Sequence, residues 1–86
     1  MLTIKEISKL NFGVGHHFFS KGAMDAFNSV IESEVFLNNC FITSEDYGNG
    51  RLFKVRRFDP ETCFISTVEG NFPDIDKARD ALKEVF

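Results

Sequence analysis

The fold of this chain depends on the stretch CFITSEDYGNGRLFKVRRF, residues 40–58. Residues 40–44 and 52–58 are rich in β-branched and aromatic side chains, which are typical of strands, and a Gly-Asn-Gly segment separates the two runs. Asn-Gly is the preferred pair at the centre of a type I′ turn, because both central residues take positive φ there. The pattern therefore predicts an antiparallel hairpin that reverses at Asn49-Gly50.

The position of that turn determines which residues of the two strands lie opposite each other. Centring it on this pair places Glu45 opposite Lys54 and Phe41 opposite Phe58, and cross-strand pairs of these kinds contribute about 0.2–1 kcal/mol each. We expect a helix over residues 21–32 to pack on the apolar face of the hairpin. That face consists of Cys40, Ile42, Phe53 and Val55. The opposite face mixes aromatic, polar and charged side chains: Phe41, Thr43, Glu45, Tyr47, Leu52, Lys54, Arg56 and Phe58.

Three helices are predicted from capping residues and apolar spacing. Thr3 opens a capping box and begins a helix over about residues 3–10. Ser20 is the candidate N-cap of the helix over residues 21–32, whose apolar side chains recur at helical spacing. Asp74 is the candidate cap of the last helix. The apolar stripe of that helix consists of Ile75, Ala78, Leu82 and Val85.

A third strand follows the hairpin. Pro60 predicts a tight turn after Asp59, and residues 62–68 then have the composition of a strand whose register stays open. The order helix, helix, strand, strand, strand, helix predicts an α+β fold in which a three-stranded antiparallel meander packs against helices. Residues 1–86 form a single small domain. In such a meander Cys40 and Cys63 lie on the outer strands, too far apart for a disulfide.

The composition carries none of the usual signatures of an enzyme, a metalloprotein or a cofactor-binding domain. His16-His17, Cys40 and Cys63 lack the paired spacing of zinc sites, and the chain has no phosphate-binding loop. We therefore expect no catalytic residue, no metal and no cofactor. No apolar run approaches the roughly 20 residues of a membrane helix, and the N-terminus lacks the pattern of a secretory signal. These features predict a cytoplasmic protein with reduced thiols and no membrane partner.

Positive charge is concentrated on the second strand of the hairpin. Residues 51–57 hold four of the ten Lys and Arg of a chain whose net charge is −3. Two interpretations stay open. Lys54 and Arg56 are the solvated side of a strand, neutralised by Glu45, or the mixed face is a binding surface, because Arg and aromatic residues are enriched in interface hot spots. The candidate partner-binding residues are Phe41, Tyr47, Leu52, Lys54, Arg56 and Phe58.

Two classes of partner suit such a face. A protein partner needs no special motif, and it is the leading hypothesis. Single-stranded nucleic acid is the alternative, with bases stacking on Phe41 or Phe58 and phosphates meeting Lys54 and Arg56. The negative net charge argues against a nucleic-acid partner.

Four strings of this sequence resemble short uncharacterised proteins encoded by phages and related mobile elements. They are HHFFSKGAMDAFNSVIES, NCFITSED, RLFKVRRFD and FISTVEGNF. The resemblance runs from about His17 to Phe72 and leaves the first predicted helix outside it. It brings no catalytic residues. It implies a small protein in the cytoplasm of a host cell that binds and inhibits a host or defence protein, such as a CRISPR effector.

Overall fold

Within residues 2–85, which the computed structural model describes, three helices surround a four-stranded antiparallel sheet. The helices are α1 (Ile4–Gly13), α2 (Lys21–Phe27) and α3 (Ile75–Val85). The strands are β1 (Ser29–Val35), β2 (Cys40–Asp46), β3 (Arg51–Phe58) and β4 (Ile65–Phe72), and they lie in this order in the sheet. A 3₁₀ turn over Leu37–Asn39 joins β1 to β2. The side chain of Val85, which we predicted to be part of the apolar stripe of the last helix, lies outside the described part.

The prediction of an α+β fold with an antiparallel sheet is confirmed, but the predicted three strands are wrong, because residues 29–32 of β1 were assigned to a helix and residues 33–35 to no element. The helix predicted over residues 21–32 ends at Phe27. Asn28 follows in the left-handed conformation, with φ 52° and ψ 38°, and its N–H donates to the carbonyls of Met24 and Asp25. This is a common way for a helix to end. Val30 and Ile31 then belong to β1, where β-branched side chains fit the pleated surface.

The chain reversal between β2 and β3 is confirmed, but its register is two residues from the predicted one. Thr43 lies opposite Lys54 and Phe41 lies opposite Arg56. The connection is a four-residue loop over 47–50 instead of a two-residue turn, and the N–H of its first residue, Tyr47, donates to the carbonyl of its last, Gly50, at 3.2 Å. Positive φ falls on the two glycines of the loop. Because the shift is an even number of residues, every side chain keeps its predicted face.

The last strand begins and ends later than predicted. Residues 62–64 belong to the connection from β3, in which Cys63 has φ 61° and its N–H donates to the carbonyl of Asp59 at 2.7 Å. The strand itself, β4, continues to Phe72. Cys40 lies on β2, an inner strand of the four, so its predicted position on an outer strand is wrong. The thiols of Cys40 and Cys63 are both free.

Helices cover both faces of the sheet, and this differs from the predicted packing. The face with Cys40, Ile42 and Val55 is covered by α3, whereas we expected the helix over residues 21–32 to lie there. The buried residues of this α3-side cluster are Cys40, Ile42, Val55, Ala78, Ala81 and Leu82. The opposite face carries the α1-side cluster of Ile7, Phe41 and Phe58, against which Phe18 and Phe19 pack.

The predicted helix starts are confirmed, because each depends on a bond within one turn. Thr3 and Glu6 form the capping box of α1. The Ser20 hydroxyl accepts from the N–H of Ala23 at 3.1 Å, and Asp74 Oδ1 accepts from the N–H of Lys77 at 2.9 Å. These bonds use helical N–H groups that have no partner within the helix.

Candidate functional site

The face predicted to bind a partner is largely covered. Phe41 and Phe58 are 0% exposed, so the expectation that their rings lie open to a partner is wrong. Phe18 and Phe19 cover Phe41, with ring centroids 6.3 and 5.6 Å away. The same two buried rings, Phe41 and Phe58, were the predicted platforms for nucleic-acid bases. The covering residues belong to the segment between α1 and α2. The alternation of side chains within the hairpin gives no information about that segment.

The remaining predicted residues are Tyr47, Leu52, Lys54 and Arg56. Tyr47 is exposed and Leu52 is half-buried, and both line a shallow groove at the tip of the β2–β3 hairpin. Lys54 and Arg56 are half-buried and meet at Glu45, a β2 residue that is only 7% exposed. The structure therefore brings three of the four together around one carboxylate, since Tyr47 also bonds to Glu45.

A charge cluster of Glu45, Tyr47, Lys54 and Arg56 is held together by short polar contacts. Arg56 Nη2 donates to Glu45 Oε1 at 2.8 Å, and the Tyr47 hydroxyl donates to Glu45 Oε2 at 2.5 Å. Lys54 Nζ lies farther away, 3.5 Å from the same Oε2. Arg56 also donates from Nε to Thr43 Oγ1 at 3.1 Å and from Nη1 to Thr67 Oγ1. Arg56 is thus bonded on every nitrogen, whereas Lys54 is less tightly held.

Burial and charge act in opposite directions on the ionisation of this cluster. Burial pushes the pKa of Glu45 upward, but the Tyr47 hydrogen bond and the charges of Lys54 and Arg56 outweigh it, so the pKa lies below its ordinary value of 4.5. Burial also lowers the pKa of Arg56, and the Glu45 carboxylate opposes that change. A guanidinium remains protonated in proteins. The cluster therefore holds two cations and one anion at neutral pH, a net charge of one positive.

An open groove of ≈ 440 Å³ lies above the charge cluster, between α2 and the sheet; we call it the α2 groove. Apolar side chains form most of its walls, and its charged lining residues all belong to the cluster. Arg56 also lies under the ring of Phe18, with Cζ 5.3 Å from the centroid. The lining consists of His17, Phe18, Ala23, Met24, Phe27, Ser29, Glu45, Lys54 and Arg56.

An aromatic ridge of Phe12, His16, His17 and Phe64 adjoins this groove. Phe12 and His17 meet edge to face with ring centroids 5.2 Å apart, and His16 lies 4.2 Å from Phe64. His17 is part of both the ridge and the groove lining, so the two surfaces are continuous. We predicted no binding role for these four residues from the sequence. They come from α1, the following loop and the segment before β4, and no local pattern joins those segments.

A polar side chain fixes the position of the ridge on the sheet. Asn11 is 2% exposed; its Nδ2 donates to the carbonyl of Cys63 at 2.8 Å, and its Oδ1 accepts from the N–H of Phe18 at 3.3 Å. The amide therefore links the end of α1 to Phe18, which lines the groove, and to the connection before β4. This link explains how Phe12 and Phe64, 52 residues apart in the chain, come to share one surface.

Comparison with known families identifies a match over nearly the whole chain. The family described as "Family of unknown function (DUF7447)" matches residues 3–85. The chain belongs to DUF7447. The matched range includes α1, which the resemblance found in the sequence left out, and every residue of the groove and the ridge of this DUF7447 protein. No curated protein and no solved structure matches the chain.

The two thiols of this DUF7447 protein differ in their surroundings. Cys40 is fully buried; burial raises the pKa of its thiol against a smaller opposite effect of Arg57, and Sγ lies 3.9 Å from the carbonyl oxygen of Asn38. A thiol with these properties is a weak nucleophile. Cys63 is half-buried. Within residues 2–85, no three His, Cys, Asp or Glu side chains are grouped so that they could hold a metal ion.

The helices of the described part are short. None of them combines the length and the apolar character that crossing a membrane requires.

Proposed function

We propose that this DUF7447 protein is a non-enzymatic binding protein that acts by contact with another protein. The observation that carries the proposal is the aromatic ridge, which lies exposed beside the α2 groove. Phe12 is 64% exposed, Phe64 is 53% exposed, and Phe27 at the rim of the groove is 62% exposed. Exposed aromatic rings grouped in one region support an interaction site there, because contiguous apolar patches mark such sites.

The chemistry of the ridge and the groove suits a protein partner. Interface hot spots are enriched in aromatic residues and Arg, and they lie in pockets from which water is excluded. Here Phe18 and Arg56 are already stacked against each other, and they lie next to rings that are open to solvent. A partner that covers the ridge would bury these rings without first having to order them, because the Asn11 bonds already hold both loops.

The non-enzymatic part of the proposal is supported by the state of the side chains that could carry chemistry. Cys40 has no access to solvent. The rings of His16 and His17 lie against the phenyl rings of Phe64 and Phe12. These surroundings suit packing and recognition better than proton transfer, which needs a base within hydrogen-bond reach of the reacting proton.

The proposal includes a biological setting, which rests on the resemblance of strings such as RLFKVRRFD to proteins of phages and mobile elements. Under it, the protein works in the cytoplasm of a host cell and inhibits a host or defence protein, such as a CRISPR effector. The setting is tested by plating a targeted phage on cells that carry a defence system. Expression of the protein should restore plaques. Equal plaque counts with and without the protein, across several defence systems, would contradict this setting.

Protein contact is tested by affinity capture from host lysate with quantitative mass spectrometry. The test variant is Phe12→Ser with Phe64→Ser, which removes the two open rings of the ridge. The control is Leu37→Ser, because Leu37 is 62% exposed but lines a different groove, against α3. A partner should be recovered with the wild type and the control and lost with the double variant. Equal recovery with all three proteins refutes a role for the ridge, provided that thermal unfolding confirms that each is folded.

A further inference from the structure

We infer that the α2 groove receives a carboxylate carried next to an apolar side chain, as presented by an acidic segment of a partner protein. This inference deepens the proposed function and rests on it for the nature of the partner. The groove itself supplies the chemistry of recognition. Its lining is apolar on the α2 side and carries an excess positive charge on the sheet side.

The charge of the lining favours an anion. Lys54 and Arg56 contribute two positive charges and Glu45 contributes one negative charge, so the groove holds one cation that no acid of its lining neutralises. The whole chain has a net charge of −3. The positive floor of the groove is thus a local exception on an acidic protein, and partly enclosed charges attract counter-ions more strongly than open ones.

Lys54 is the cation that can move to a ligand. The Arg56 guanidinium is fixed by bonds to Glu45, Thr43 and Thr67. By contrast, the Lys54 ammonium has two weaker contacts: Glu45 Oε2 at 3.5 Å, beyond the usual range of a hydrogen bond, and the Tyr47 ring, whose centroid lies 5.7 Å away, within cation–π range. The stem of Lys54 lies against Gly70, so the ammonium would reach a carboxylate above the cluster by rotation about its terminal bonds, while the Glu45–Arg56 pair stays intact.

The walls of the groove determine what must accompany the carboxylate. Phe18, Met24 and Phe27 offer two phenyl rings and a flexible thioether, which adapts to ligands of different shape. The volume of ≈ 440 Å³ falls within the range of about 300–1,000 Å³ that small-molecule pockets occupy. One large apolar side chain and a neighbouring carboxylate would occupy such a space together.

Phenylacetate is a probe that has both features, and phenylacetamide is its uncharged analogue. We would titrate each into the ¹⁵N-labelled full chain and follow the backbone amide signals by NMR. Phenylacetate should shift signals of residues 17–29 in a saturable manner, and phenylacetamide should bind about fivefold more weakly, the effect of one partly exposed ion pair. Equal affinity of the two probes, or shifts centred on α3, would overturn the inference.

Variants assign the effect to the groove. Lys54→Gln should weaken phenylacetate about fivefold and leave phenylacetamide unchanged, whereas Lys54→Arg should retain the preference for the anion. Lys83→Gln is the matched control, because Lys83 lies on α3 and its ion pair with Asp80 is exposed. Should Lys54→Gln fail to fold, Phe27→Ser at the exposed rim must weaken both probes. An unchanged affinity in Phe27→Ser would overturn the inference.

The inference and the proposed function can fail separately. Selective binding of phenylacetate together with partner capture that does not depend on the ridge would retain the groove site and refute the proposed role of the ridge. Capture that needs the ridge but gives equal recovery with Lys54→Gln and the wild type would retain the proposed function. That second result would overturn the assignment of Lys54 to an acidic segment of the partner.

Discussion

Replacing Glu45 with Gln tests how strongly the charge cluster stabilises this fold. The substitution keeps the size and the two polar atoms of the side chain, but it removes the charge that faces Lys54 and Arg56. Glu45 is 7% exposed and accepts from Tyr47 at 2.5 Å and from Arg56 at 2.8 Å. The variant therefore leaves a half-buried guanidinium without its counter-ion.

The expected loss follows from these contacts. A hydrogen bond to a charged group contributes about 1.5–3 kcal/mol, and breaking a fully buried ion pair costs about 3–5 kcal/mol. The Arg56 side chain keeps some contact with water and Gln keeps part of the hydrogen bonding, so we expect the free energy of unfolding to fall by about 2 kcal/mol. In a domain of this size, that loss lowers the Tm by about 10 °C.

Urea denaturation and thermal unfolding followed by circular dichroism measure this loss, with Glu34→Gln as the matched control. Glu34 pairs with Arg79 at 3.7 Å, but both side chains are exposed, so its substitution should cost less than about 1 kcal/mol. A Glu45→Gln variant that is no less stable than Glu34→Gln at neutral pH would refute the stabilising role of the charge cluster.

The pH dependence of the difference in unfolding free energy between the wild type and Glu45→Gln provides a second measurement. The pKa of Glu45 in the folded protein lies below its ordinary value of 4.5, so the stabilisation is complete above that value and disappears as the pH falls through the folded pKa. The gap in unfolding free energy between the wild type and Glu45→Gln should therefore be constant around neutral pH and should close in acid. A gap that widens in acid would contradict a lowered pKa of Glu45 in the folded protein.

Three further predictions concern other parts of the fold. Asn11→Ala should lower the free energy of unfolding by about 2 kcal/mol in urea denaturation, because the N–H of Phe18 and the carbonyl of Cys63, both half-buried, lose their partner; a loss under about 0.5 kcal/mol would show that the link between the loops is not needed. Asn28→Gly should keep the stability of the wild type, while Asn28→Ala should lose about 1 kcal/mol because of its left-handed backbone; equal values for the two would contradict that conformation. In the native protein a thiol reagent should modify Cys63 well before Cys40, and equal rates without denaturant would contradict the burial of Cys40.

The elements that local chemistry determines were predictable. Each helix start depends on a side chain that bonds within one turn, as Thr3, Ser20 and Asp74 do. The faces of the β2–β3 hairpin follow from alternation along the strand. For this reason they were correct although the register was two residues away from the prediction.

The missed strand and the missed site have a different cause. Val30 and Ile31 fit both the apolar stripe of a helix and the pleat of a strand; the left-handed Asn28 ends α2 before them, and pairing with β2 makes them part of the sheet. The cover over Arg56 comes from Phe18, which is 38 positions away in the chain. The alternation of side chains along a strand shows which of them share a face of the sheet. Whether that face is exposed depends on packing by residues that are distant in the sequence, and alternation does not show this.

The sheet separates the α1-side cluster from the α3-side cluster, so within residues 2–85 the buried side chains form two cores on opposite faces. Changes in stability at distant sites without shared partners add to within about 0.3–0.5 kcal/mol. The effects of changes around Ala78 or Leu82 on the α3 side should therefore add to those of changes near the groove. The packing beneath α3 therefore contributes to the stability of the fold largely independently of the proposed recognition surface on the other face.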